Sequence, residues 1–230
     1  MSQLALPLKL QDHAVFESFL PAGNEALVAY LQDTVSTAKT AGGWIRGAQA
    51  TGKTHLLQAV CERAGDKAQF LPMTDFIDTG PAILDGLANR QFLCLDDVDA
   101  VSGDADWELG FFSLYNALAD AGGVLLCSAA SAPRDCGFGL ADLVSRFSQL
   151  PTFNLHPLDE SERIQALQLR ARHRGLDLPT ESAGYLLNRS TRDMASLYAL
   201  LDKLDAEAMI AKRRLTIPFV KEVLGLNQRS

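Results

Sequence analysis

The stretch Gly47-Ala48-Gln49-Ala50-Thr51-Gly52-Lys53-Thr54 constrains this chain more than any other. It meets the phosphate-binding loop pattern G-x-x-x-x-G-K-[ST] at every fixed position. Gly47 and Gly52 let the backbone curl at little steric cost, so that successive N–H groups face one concavity. Lys53 is placed to reach the outer phosphates of a nucleotide, and the Thr54 hydroxyl to take one site on Mg2+. Such a loop has meaning only between a strand and a helix. Gly43-Trp44-Ile45-Arg46 predicts the strand before it, and residues 55–64 are rich in helix formers after it. A helix opening there presents its free N-terminal amides to an anion.

The next signal is Gln91-Phe92-Leu93-Cys94-Leu95-Asp96-Asp97. Four consecutive apolar residues predict a strand buried on both faces of a parallel sheet, with two carboxylates at its C-terminal end. In open α/β sheets that end is where ligands bind. Asp96 is expected to hold Mg2+, directly or through water, and Asp97 to polarise an attacking water. Taken without the loop, the pair reads equally well as a solvated acidic turn. Further strands are predicted at residues 68–72, 124–128 and 152–155, which makes five in all. Ser128, at the end of its strand, is the polar side chain placed to sense a γ-phosphate. Asn24 is expected to cap a helix whose apolar face is Leu27, Tyr30, Leu31 and Val35. Trp107, Phe111, Leu114, Tyr115 and Leu118 recur at helical spacing over residues 104–121. A short helix at 140–147 carries Arg146 among the apolar anchors Leu143, Val144 and Phe147, which leaves its side chain free to point outward.

From residue 157 the pattern is helical only. Asp159 with Glu162 resembles a capping box, and helices are predicted near 161–174, 180–187, 193–211 and 218–224. The expected organisation is a tail at 1–12, an α/β domain at 13–157 and a small all-helical domain at 158–230. The apolar tail reads as an edge strand, as a loose end packed on the core, or as a docking peptide. In the docking reading Leu4 and Leu6 are its apolar anchors and Gln3 its polar one. Bulk properties narrow the class. At 230 residues, one domain plus a smaller one is the natural expectation. A net charge of −7 argues against a large non-specific nucleic-acid surface. No apolar run approaches a membrane span and no secretory signal is evident, so a cytoplasmic location without membrane partners is expected. Cys61, Cys94, Cys127 and Cys136 form no C-x-x-C pair, and Cys94 and Cys127 read as buried thiols. His13, His55, His156 and His173 lack ligand spacing, so a zinc site is not expected.

These motifs together resemble the AAA+ ATPases. Phe16-Glu17-Ser18-Phe19, the loop followed by His55-Leu56, Leu95-Asp96-Asp97, Ser145-Arg146-Phe147 and Thr191-Arg192-Asp193-Met194 resemble the nucleotide-binding domain of the initiator family DnaA. The resemblance runs from about residue 16 to 226. Gln3-Leu4-Ala5-Leu6-Pro7 is similar to the motif by which proteins dock on the DNA polymerase sliding clamp. With residues 215–222, it makes the chain similar to the Hda family, DnaA-related regulatory inactivators without the DNA-binding domain. The resemblance implies an α/β AAA+ P-loop domain with a central five-stranded parallel sheet, followed by a helical lid. It implies ADP or ATP with Mg2+ held by Gly47, Gly52, Lys53, Thr54, His55, Phe16, Phe19 and Arg192, the last as sensor 2. Asp96 and Thr54 become the metal ligands, and Gln3, Leu4, Leu6 and Pro7 the clamp-binding residues. Arg146 falls on the arginine-finger position, acting in trans on DnaA. The partners implied are the sliding clamp and DnaA, with DNA reached only through the clamp and a homo-oligomer left open. Two departures matter. Asp97 stands where many AAA+ ATPases have Glu, and Ala130 leaves a polar sensor 1 missing, so weak or no intrinsic hydrolysis is expected. The alternatives are an autonomous AAA+ ATPase such as a helicase loader, and a small-molecule P-loop kinase.

Overall fold

The structure, a computed structural model, describes residues 14–38, 42–189, 194–211 and 214–225. Residues 3–7 and Arg192, singled out above, lie outside them.

Five strands form one all-parallel sheet: β1 (Gly42–Arg46), β2 (Ala68–Pro72), β3 (Phe92–Asp96), β4 (Val124–Ala129) and β5 (Thr152–Asn154). Their order is β2-β3-β4-β1-β5. The middle strands β3 and β4 are buried at every residue, which is why each reads as a continuous apolar run rather than an alternation. The chain approaches most closely at Gly42. A Cβ there would lie 1.6 Å from the carbonyl oxygen of Leu125, and φ is +135°. Only glycine fits where β1 joins β4.

Helices α1 (Glu25–Thr37), α2 (Lys53–Ala64), α3 (Ala105–Asp120) and α4 (Ala141–Phe147) flank the sheet. Trp44, Leu93, Leu95, Leu125 and Cys127 pack with Trp107, Phe111, Leu118, Leu143 and Phe147 of α3 and α4 in one core. The alternate residue Cys94 meets Cys61 of α2 on the opposite face. All four cysteines are free, and burial pushes the Cys136 thiol up to about 11. The 16-residue α3 begins on an effective cap: Asp104 accepts from the N–H groups of Asp106 and Trp107. Asn24 differs from its expected role. It precedes α1 but makes no side-chain cap bond. Its amide instead pairs with the backbone of His156, accepting from the N–H at 2.8 Å and donating to the carbonyl at 3.2 Å. The region 75–89, expected to carry a short helix or two, forms only 3-10 turns, at Pro81–Leu84 and Leu87–Asn89, after one at Met73–Asp75.

The described residues divide into two compact units, one of residues 14–16 and Gly23–His156, the other of Glu17–Ala22 with the chain from Pro157 onward. The second is helical: α5 (Glu160–His173), α6 (Thr180–Arg189), α7 (Met194–Ala211) and α8 (Ile217–Val223). Its core joins Leu167, Leu186, Leu197, Leu201, Leu204 and Phe219. The capping box forms as read, with Asp159 and Glu162 each accepting from the other's N–H at 2.8 Å. No helix among the described residues is long and apolar enough to cross a membrane.

Candidate functional site

The phosphate-binding pattern folds as strand, loop and helix. β1 ends at Arg46, the loop turns through Ala50 and Gly52 at φ +61° and +108°, and α2 starts at Lys53. Among the described residues, the N–H groups of Ala48, Gln49, Ala50, Thr51 and Gly52 donate to no partner. Five consecutive donors left free beside a helix N-terminus form a cradle for an anion. Lys53, only 7% exposed, folds back over the loop. Its ammonium lies 3.2 Å from the carbonyl of Gly47, 3.4 Å from that of Ala48 and 3.5 Å from the carboxylate of Asp97.

Asp96 and Asp97 end up in different places because the backbone turns sharply between them. Asp96 is the last residue of β3 and buried, while Asp97 takes φ +50° and its side chain is 41% exposed. Asp96 accepts from the Thr54 hydroxyl at 2.6 Å and from the Ser128 hydroxyl at 2.5 Å. Burial raises its carboxyl above the ordinary aspartate value, the hydrogen bonds from Ser128 and Thr54 pull it back, and the Asp97 charge adds a further push upward. The Thr54 hydroxyl and the Asp96 carboxylate bring hard oxygen donors together beside a phosphate cradle, the donor chemistry that Mg2+ takes. These residues fit the metal.

Ser128 was the candidate to sense a γ-phosphate. Its hydroxyl is instead fully engaged, donating to Asp96 and accepting from the Asp97 N–H at 2.9 Å. Parallel pairing of β3 with β4 brings the two strand ends level, and this link follows from that register. Asp99 makes a second tie that sequence reading missed, accepting from the Ala130 N–H at 3.0 Å. Asp99, beyond β3, therefore holds the first residue after β4.

His55 Nε2 meets the Val15 carbonyl at 2.9 Å. Phe16 is buried beneath the Arg63 guanidinium, 4.8 Å from its ring centroid. Phe19 is half-buried within the stretch 17–22 that groups with the helical unit. Arg146, expected to point outward, is half-buried with its guanidinium 6.0 Å over the Tyr115 ring. Among the described residues it has no ion pair and no hydrogen-bonded side-chain partner. Tyr115 thus orients Arg146 without neutralising it.

Five parallel strands in this order, a P-loop after β1 and a buried aspartate ending β3 are the features of an AAA+ type of fold, and a helical unit follows it. Residues 159–224 match the family model of the Hda lid domain. The fold is similar to that of domain III of the replication initiation protein DnaA from Thermotoga maritima. The TM-score is 0.77 at 18% identity, over 96% of this chain and all of that one. AMPPCP-bound DnaA from Aquifex aeolicus matches at a TM-score of 0.67 and 23% identity, over 88% of this chain and 69% of that one. The Thermotoga maritima RuvB branch migration motor follows at 0.63 and 14%, over 89% and 70%. The fold is therefore similar to that of DnaA domain III, and residues 159–224 are similar to the Hda lid domain.

Proposed function

We propose that this chain is a nucleotide-bound regulator of replication initiation. It holds ADP or ATP with Mg2+ at the cradle of Gly47, Gly52, Lys53, Thr54 and Asp96, and docks on the DNA-loaded sliding clamp through Gln3, Leu4, Leu6 and Pro7. It presents Arg146 to the ATP of a DnaA-type initiator. The observation that carries this proposal is the Hda lid match across residues 159–224. Two features of the site support it. Asp97 is occupied by Lys53 and Ser128 by Asp96, an arrangement suited to a binding switch more than to rapid turnover. Arg146 is a planar cation without a counter-ion among the described residues, suited to phosphate oxygens. Supplied in trans, such a residue is worth roughly 10³ to 10⁵ in rate in GTPase systems.

The test is hydrolysis of ATP already bound to the initiator, with clamp-loaded DNA and this protein added. Arg146→Ala is expected to fold, keep its own nucleotide and bind clamp, yet lose nearly all stimulation; Arg146→Lys recovers little. Normal stimulation by the alanine variant removes Arg146 from the mechanism. Loss of the protein's own nucleotide with it places Arg146 in cis. The complete set Lys53, Thr54 and Asp96 favours a second reading, an autonomous AAA+ ATPase such as a helicase loader. Rapid basal hydrolysis by the purified chain selects that reading.

A further inference from the structure

We infer that Glu108 is the positioning residue for Arg146: its buried carboxylate fixes where α4 begins and so where the Arg146 guanidinium is presented. Glu108 sits on α3 and is 2% exposed. It accepts three backbone bonds, from Gly103 N–H at 2.9 Å, Gly139 N–H at 3.0 Å and Leu140 N–H at 2.6 Å. Gly139 and Leu140 are the two residues before α4. Leu140, its N-cap, has no side-chain oxygen and makes no capping bond; Glu108 takes the N-cap N–H from across the core, the part that the N3 side chain of a capping box plays elsewhere.

The far end of α4 is held by the same face of α3. Glu108, Phe111 and Tyr115 follow one another at spacings of three and four, and line one side of that helix. Phe147, fully buried, packs against Phe111 at 6.2 Å and Tyr115 at 6.4 Å, with Trp44 at 5.2 Å and Phe138 at 5.7 Å closing the ring. Arg146 precedes Phe147 and lies over Tyr115. One stripe of α3 therefore grips a seven-residue helix at both ends. A rod that short transmits a shift of its first residue to its last. Stability alone does not call for a carboxylate here, since burying one costs more than burying an apolar side chain. What the carboxylate adds is geometry: two oxygens that fix three N–H groups at once.

The inference rests on the proposed role of Arg146, and its test separates the two. Full-length Glu108→Gln keeps the shape, but its amide replaces one acceptor with a donor facing N–H groups. Because a misplacement of about 1 Å can cost about 100-fold in rate, we expect maximal stimulation of the ATP-loaded initiator on DNA-loaded clamp to fall at least about tenfold. The half-saturating concentration and the variant's own nucleotide affinity stay within about twofold, and amide exchange accelerates at Gly139 and Leu140 but not in β4. A merely structural role would move all of these together. Gly139→Pro, at an exposed position, deletes one donor and serves if Glu108→Gln does not fold; it should show the same pattern with a smaller loss. Gly139→Ala is the control, since it keeps the N–H and its Cβ meets Glu108 Oε2 at an ordinary 3.8 Å. Wild-type stimulation by Glu108→Gln, or by a folded Gly139→Pro in its place, beside an inactive Arg146→Ala overturns this inference alone. Normal stimulation by Arg146→Ala overturns the role of Arg146 and this inference with it.

Discussion

At Asp96, burial and hydrogen bonding pull in opposite directions, and burial wins. The carboxyl of the folded chain titrates above its unfolded value, so the native state takes up a proton in the window between the two. Its contribution to stability is present below the unfolded value and lost as pH rises through the folded one. Asp96→Asn, an analogue of the protonated form, is therefore expected to melt at or above the wild-type temperature near neutral pH without ligand. The same variant loses the Mg2+ dependence of nucleotide affinity. In the wild type that dependence should weaken as pH falls, starting at a higher pH than an ordinary aspartate gives. Thermal melts and fluorescent-nucleotide titrations with and without Mg2+ check both, and a markedly lower melting temperature for Asp96→Asn contradicts the first. The strand, loop and helix around residues 47–54 were legible because a local pattern demands them, and the structure brings Thr54 and Asp96 together at 2.6 Å. The engagement of Ser128 was not legible, since its hydroxyl meets a carboxylate 32 residues away.

Elements were largely legible wherever their pattern is local. The strands and the main helices follow from apolar runs, helical spacing and caps, and the Asp159–Glu162 box formed as its spacing demands. The region 75–89 failed because glycine and proline at 80, 81 and 86 break any helical period, leaving tight turns. Glycines give the sharpest test at this scale. Gly42→Ala drives a Cβ into the Leu125 carbonyl at 1.6 Å and is expected to cost more than about 4 kcal/mol, abolishing soluble expression or cooperative unfolding. Gly122→Ala also sits at positive φ (+71°) but meets nothing within 4 Å, and should cost only about 1–2 kcal/mol. Denaturant midpoints of the two variants check the ranking. Equal losses would show that conformation, not the packing of β1 on β4, sets the price.

For the whole molecule, the fold is similar to DnaA domain III and residues 159–224 match the Hda lid model, while clamp docking rests on residues outside those described. Deleting residues 1–12 is expected to leave melting temperature and nucleotide affinity unchanged and to abolish retention on immobilised sliding clamp. A truncated protein that still binds clamp would assign docking to another surface. By itself the sequence determined the class of fold. A P-loop between strand and helix, apolar strands, an aspartate ending one of them and a capped helical tail are each written in neighbouring residues. Tertiary structure decided what those residues touch. It tied Asn24 to His156 across 132 positions, Ser128 to Asp96, and Glu108 to the start of α4. The physical reason is that propensity and periodicity act within a turn or two of chain. A hydrogen bond between distant side chains exists only once strand order and register have brought its partners level.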